Sequence, residues 1–240
     1  MDVFLAVPTY NNSLHSLAHM GIMHASRQHT MHCAVLSCSL LAHGFNQLWA
    51  SAVISKCEWF AMLHADIGPS AHWVDALIEE AEAHEADVMS ALSPIKSSQN
   101  EYSTALLQRD LNADPRRLHV SHIESLPDTF DASDIRAVMG SPTGMMGVNT
   151  GCWVARLKQP WNKQVHFEIK SWIDWEPEGP ICRVSPEDWG FSRQAHDLGI
   201  RLFCTTKVRL RHVGEACYQN VPDHGPTNGN IAKSIPPLGI

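Results

Sequence analysis

Apolar residues in this chain fall into short unbroken blocks, separated by stretches in which they recur every three or four positions. Residues 3–7 form such a block, closed by Pro8 and followed by the polar turn Thr9-Tyr10-Asn11-Asn12, the pattern of a strand buried on both faces. Residues 32–36 predict a second strand. Between 40 and 54 the residues Leu41, Phe45, Leu48, Trp49 and Ala52 recur at helical spacing. Residues 59–63 predict a third strand, which delivers His64-Ala65-Asp66 to its carboxyl end before Ile67-Gly68-Pro69 turns the chain away. Ser70 is placed to cap a helix over 72–84, with Trp73, Leu77, Ile78 and Ala81 on the core face and Asp75, Glu79, Glu80 and Glu82 toward solvent. Residues 87–92 predict a fourth strand. Alternating strands and helices imply a mostly parallel sheet with helices on both faces.

The pattern loosens after Pro94. Residues 95–136, with Pro115 and Pro127, read as excursions or small antiparallel strands over the sheet edge. Residues 140–151 carry four glycines and Pro142, a mobile or closely packed loop suited to a lid or acceptor loop. Residues 152–157 predict a strand, and Pro186 opens a helix to about residue 198, with Gly199 just past its end. Short strands follow at 200–204 and 208–212. The chain reads as one domain over 1–221, with a nucleotide-side part at 1–95, an acceptor and catalytic part at 140–214, and a Pro/Gly/Asn-rich tail at 222–240.

Composition narrows the class. The chain has 240 residues, 44% apolar and 18% charged, enough for a full hydrophobic core, and no apolar run approaches the ~20 residues of a membrane span. Seven cysteines without CxxC spacing suit reduced thiols, and residues 1–7 lack the basic start of a signal peptide, so a cytoplasmic location is expected. The net charge of -7 is uneven: residues 1–150 hold 7 Lys+Arg against 16 Asp+Glu, and the remainder 11 against 9. An acidic first part disfavours non-specific nucleic-acid binding, while Arg201, Lys207, Arg209 and Arg211 keep it open.

Three groups of residues carry candidate chemistry. Asp66, two residues after His64, ends a buried strand, where open α/β sheets bind ligands. Glu187-Asp188-Trp189 opens a helix, where acids also complement the dipole for ~0.3–1 kcal/mol without any catalytic role. His212 ends a late strand. Together an oxygen ligand from Asp66 and an imidazole from His212 suit Mn²⁺ or Mg²⁺ beside phosphate oxygens, with Asp188 as a general base over the same cleft. Lys96, just past the fourth strand, is placed to approach donor or acceptor. His15 and His19 have the i, i+4 spacing of half a zinc site, but no HExxH or cysteine pair accompanies them.

In order along the chain, Val7-Pro8-Thr9-Tyr10-Asn11, Phe45-Asn46, His64-Ala65-Asp66, Gly151 with its strand, Glu187-Asp188-Trp189-Gly190-Phe191-Ser192 and 208–212 resemble the motifs of GT-A fold glycosyltransferases of the family 2 type. The resemblance spans most of residues 3–214. It implies a Rossmann-like GT-A sheet with a small antiparallel acceptor-side subdomain. It implies a nucleotide-sugar donor, a UDP-sugar first, bound by Pro8, Thr9, Tyr10, Asn46, His64, Ala65 and Asp66. Asp66 and His212 would hold the metal, Asp188 would be the base with Glu187 beside it, and Gly151, Trp189 and Lys96 would face the acceptor. At His64 the family usually has an acid, which leaves the donor's identity open. The implied reaction is sugar transfer, with inversion, to a saccharide or to a hydroxymethylated base in DNA. A sugar-phosphate nucleotidyltransferase and a non-catalytic nucleotide- or sugar-binding module are the alternatives.

Overall fold

A computed structural model describes residues 1–96, 100–214 and, as backbone, 217–219; the tail expected at 222–240 lies outside the described residues. Along the chain come β1 (Asp2–Thr9), α1 (Ser16–Met23), β2 (Thr30–Ser37), α2 (Leu41–Ile54), β3 (Trp59–Leu63), β4 (Ile67–Pro69), α3 (Trp73–Ala83) and β5 (Val88–Ala91). The middle holds β6 (Glu101–Leu107), β7 (Arg116–His119), α4 (Val120–Ile123), β8 (Thr129–Phe130), α5 (Ala132–Met139), β9 (Met145–Gly147) and β10 (Cys152–Arg156). A 3₁₀ turn at Pro160–Lys163 leads to β11 (Lys170–Glu176), β12 (Gly179–Ser185), α6 (Glu187–Asp197), β13 (Leu202–Thr205), β14 (Leu210–Val213) and β15 (Cys217–Gln219).

Seven strands form the central sheet in the order β2-β1-β3-β10-β5-β13-β8. Five run the same way, while β10 and β8 run against them. The inserted β10 matters most, because Cys152 pairs with Leu63 and the loop before it therefore lies at the carboxyl end of β3. β1 continues through Pro8 to Thr9: its pairing with β3 stops at Ala6, whereas that with β2 runs on to Thr9.

Side chains alternate across the sheet into two cores. Val3, Leu5, Val7, Trp59, Ala61 and Leu63 pack with α3 on one face. Ala6, Phe60 and Met62 pack on the other against Phe45, Leu48 and Trp49 of α2 and Phe191 of α6. Leu41 departs from the expected α2 core face and is exposed. A smaller sheet, β7-β6-β9, covers the other edge, as the loosened pattern after Pro94 suggested. The glycine-rich stretch at 140–151 divides: Gly140, Pro142 and Thr143 are exposed, whereas Met145, Met146, Val148 and Thr150 are buried and β9 pairs with β6. Among the described residues no helix is long and apolar enough to cross a membrane.

The expected solvent face of α3 is only half right. Glu79 and Glu82 are exposed, but Asp75 and Glu80 are buried. Asp75 accepts a hydrogen bond from Ser26 and one of 2.8 Å from the Arg27 amide, and Glu80 accepts from Thr129 and from Lys207 at 2.6 Å. The α3 N-cap is His72, in the left-handed region at φ 61°, rather than Ser70. Similarly, Pro186 caps α6 from outside instead of forming its first turn. Asp75→Ala removes the acceptor of the part-buried Ser26 hydroxyl and Arg27 amide, so it is expected to lower stability by about 1–2 kcal/mol in urea denaturation. The exposed control Glu79→Ala should stay within about 0.5 kcal/mol.

Candidate active site

The carboxyl ends of β3 and β5, the loop before β10, the start of α6 and strand β14 meet at one place. Asp66 is fixed there by backbone bonds on every side of its turn. His15 donates its amide to the Ala65 carbonyl and His64 donates to Gly151, both at 2.8 Å, and Ile67 donates back to His64 at 3.2 Å. β14 then pairs antiparallel with β4, setting His212 opposite Ile67, and the Val213 amide donates to the Asp66 carbonyl at 2.8 Å. That register brings His212 Nε2 to 3.7 Å from Asp66 Oδ2. The Lys96 ammonium touches the same oxygen.

His212 has its tautomer set by its surroundings. Its Nδ1 lies 2.8 Å from the Pro94 carbonyl, which only accepts, so Nδ1 carries the proton. Nε2 is then the ring atom that faces Asp66. Burial works against the Asp66 carboxylate, but the Lys96 ammonium and the neighbouring His212 outweigh it and hold Asp66 well below the usual carboxylate range. His64 is pushed down to about 4, chiefly by burial, with His212 and Lys96 adding to it against the opposing charge of Asp66. It is neutral near pH 7, packs at a tilt against Phe45 with ring centroids 5.1 Å apart, and keeps a buried Nε2 without a hydrogen-bond partner.

These residues fit a divalent cation. Donor oxygens and nitrogens lie ~2.0–2.2 Å from such ions, so two neighbouring ligands stand somewhat over 3 Å apart. Asp66 and His212 are near that separation, and the proton of His212 is tied to a backbone carbonyl, the usual orientation of a ligating imidazole. Among the described residues no group of three His, Cys, Asp or Glu side chains is placed to hold a metal ion.

Asp188 lies on the first turn of α6, 7% exposed. The Trp189 amide donates to its Oδ1 at 2.8 Å, and Asn149 Nδ2 approaches Oδ2 at 3.5 Å. Burial first, and the neighbouring Glu187 second, push its carboxyl up to about 7. Asp188, Trp189, Lys96 and His212 line one cavity of about 330 Å³ with Arg117 and Asn149. Burial also raises Glu187, which does not line that cavity.

The remaining expected site residues stand around this centre rather than in it. Tyr10 is 75% exposed beyond the end of β1, while Pro8 and Thr9 are buried. Asn46 spends both ends of its amide on the Phe167 backbone, at 2.7 and 2.8 Å, so it anchors the segment after the 3₁₀ turn. Gly151 is a place of close approach: a methyl there would lie 2.5 Å from Ile67 and 2.7 Å from Asn149. His15 caps α1 by accepting from the Leu17 amide at 3.1 Å, which accounts for the first half of the His15/His19 pair.

Arg117 and Asn149 escaped the sequence reading. Arg117 lies over the Trp189 ring at 4.7 Å and beside Asp188. The Arg116-Arg117 pair stands in a stretch without apolar periodicity and gives no spacing to read. Asn149 did leave a trace as Asn-x-Gly: its Oδ1 accepts from the Gly151 amide at 2.8 Å.

The sequence matches no protein-family model, and no curated protein matches it by sequence. Solved structures do match. Protein A197 from STIV is 12% identical, with a TM-score of 0.53 over 93% of this chain and 91% of that one. The chain has a GT-A-type fold. TarS 1-349 from S. aureus is 11% identical over 86% of this chain and 58% of that one, with a TM-score of 0.44. A crystal structure of TarS 1-349 in complex with UDP-GlcNAc gives 13% identity and 0.41, over 86% and 56%. The GT-A sheet delivers its loops to the face where Asp66, His212 and Asp188 meet.

Gly151→Ala would force the His64–Asp66 turn and the Asn149 loop apart, and overpacking of this kind costs about 1–3 kcal/mol. A urea midpoint shifted by that amount is expected, together with perturbed His64 resonances in NMR.

Proposed function

We propose that this protein is a glycosyltransferase that moves a sugar from a nucleotide-sugar donor, a UDP-sugar first, to the hydroxyl of a saccharide acceptor. One observation carries the reading: a buried, raised-pKa carboxylate, Asp188, shares a cavity with Lys96 and His212, which both reach Asp66. A base with its pKa near the working pH combines a usable fraction ionised with real proton affinity. A cluster of Asp66, His212 and Lys96 a short way off suits the charge of a diphosphate.

Within this reading, Asp66 and His212 would hold a divalent cation, Mn²⁺ or Mg²⁺, which when bound neutralises charge on the departing nucleoside diphosphate. Lys96, free to leave Asp66 once phosphate oxygens compete for it, adds a second positive charge. Because the Trp189 amide holds Oδ1, Asp188 takes the acceptor's proton on Oδ2. The acceptor oxygen bonds to the anomeric carbon as the bond to the β-phosphate oxygen breaks, and direct displacement inverts that carbon. Arg117 over Trp189 builds the wall of the cavity beside the base. An overall charge of -7 favours a saccharide over DNA as acceptor.

The direct test is a screen of UDP-sugars with Mn²⁺, reading UDP release with and without oligosaccharides. Failure of any nucleotide sugar to bind or turn over would refute the reading. Asp188→Asn is expected to lower kcat by ~10²–10⁴-fold with donor affinity retained. For the wild type, log(kcat/KM) should climb with unit slope below pH 7 and level off above it, because Asp188 must lose its proton to act and does so at about 7. In a manganese titration of donor binding, His212→Ala should raise the half-saturating concentration more than tenfold; an unchanged curve would remove His212 from the cation site.

A further inference from the structure

The hairpin of β11 and β12 carries its polarity the wrong way round for a solvated ribbon. One face holds Trp172, Asp174 and Glu176 with Ile181 and Arg183, and it lies on the 112–114 segment. Trp172 donates to Asn112 at 3.1 Å, and Arg183 pairs with Asp114, Asp174 and Glu176. The outward face holds Ser171, Ile173, Trp175, Pro180, Cys182 and Val184, with no charged residue among them. On that face Trp175 is 77% exposed, Val184 62% and Ile173 53%. The two strands pair only with each other, and among the described residues the other edge of β11 makes no backbone hydrogen bond. Isolated two-stranded ribbons are marginal, and a free edge beside apolar side chains is a template for another strand.

We propose that two copies of this chain pair through their β11 edges, antiparallel about a two-fold axis at Ile173, giving a four-stranded sheet β12-β11-β11-β12. Residues directly opposite in an antiparallel pair share a face. In this register Ile173 meets Ile173, Trp175 meets the small Ser171, and Lys170 meets Glu176 twice across the axis. All seven residues of β11 pair. The same-face registers on either side pair only five, and the one centred on Asp174 sets two carboxylates against each other. Lys170 bonds Glu168 at 2.8 Å and Glu176 bonds Arg183 at 2.8 Å; both are surface ion pairs that are readily shared. The charge and size complementarity of β11 with itself selects a second copy as the partner, and the uncharged outward face offers nothing to the phosphates of a membrane or nucleic acid. The inference is independent of the proposed activity.

Sedimentation equilibrium should show a dimer for the wild type. Lys170→Glu and Glu176→Lys should each weaken it about tenfold, and the double charge swap should restore it. In a Cys33→Ser, Cys182→Ser background, Ile173→Cys should cross-link on oxidation by diamide, two thiols giving one disulfide. Opposed Cα atoms in such a ladder are ~4.5–5.5 Å apart, within disulfide range. Ser171→Cys, several residues from its own copy, should not cross-link. A monomer at the highest soluble concentration, equal cross-linking of the two cysteine variants, or no rescue by the swap would overturn the proposal. A monomer that binds phosphatidylcholine vesicles with a blue-shifted Trp175 would overturn it in favour of a lipid surface.

Discussion

The short ladder between β4 and β14 is the contact on which the candidate site depends. Asp66 sits in the second quarter of the chain and His212 in the last, and no helix or turn relates them. Ile67 opposite His212, and the Val213 amide on the Asp66 carbonyl, hold the two side chains at their separation. With the backbone holding it, the carboxylate loses little freedom when it takes a cation, whether an ammonium or a metal. The clamp from His15 and Gly151 on the other side of the turn serves the same purpose.

Burial divides the acids of the site into two kinds. Asp66 has cationic neighbours and stays ionised despite desolvation, whereas Asp188 is buried next to another acid and holds its proton until about neutrality. One fold thus places a titrating acid in a cavity whose Lys96 and His212 both reach a second acid that stays ionised. The difference comes from the surroundings: Lys96 and His212, distant in sequence, for the first, and the adjacent Glu187 with the buried start of α6 for the second.

The legible parts of the sequence were those whose physics is local. Unbroken apolar blocks announced β1 and β3, three-to-four spacing announced α2 and α3, and Pro186 with Gly199 bracketed α6. Helix α1 was missed because it packs by smallness, burying only Ala18 and Gly21, and so shows no strong apolar stripe. Period-two patterns do not encode direction, so β10 carried no sign that it runs against its neighbours. Asp75 and Glu80 read as surface acids because Ser26, Thr129 and Lys207 lie 49, 49 and 127 positions away. Around the site, Asp66, Asp188 and His212 were named from ordered motifs and lie together. Asn46 was named on the same grounds, yet its amide is engaged by Phe167 through a contact 121 residues long.

The late position of β14 also has a consequence for synthesis. Strands β1 to β3 can pair as soon as the first sixty or so residues are out, burying an apolar core around the Asp66 turn. Residues 210–213 leave the ribosome about 150 residues after β3, at about 5–20 residues per second. Until they do, Asp66 lacks both its backbone partner at Val213 and the His212 ring. The nascent chain thus completes its sheet before its binding centre, and a chain cut short of β14 keeps most of the framework without the pair that would grip a cation.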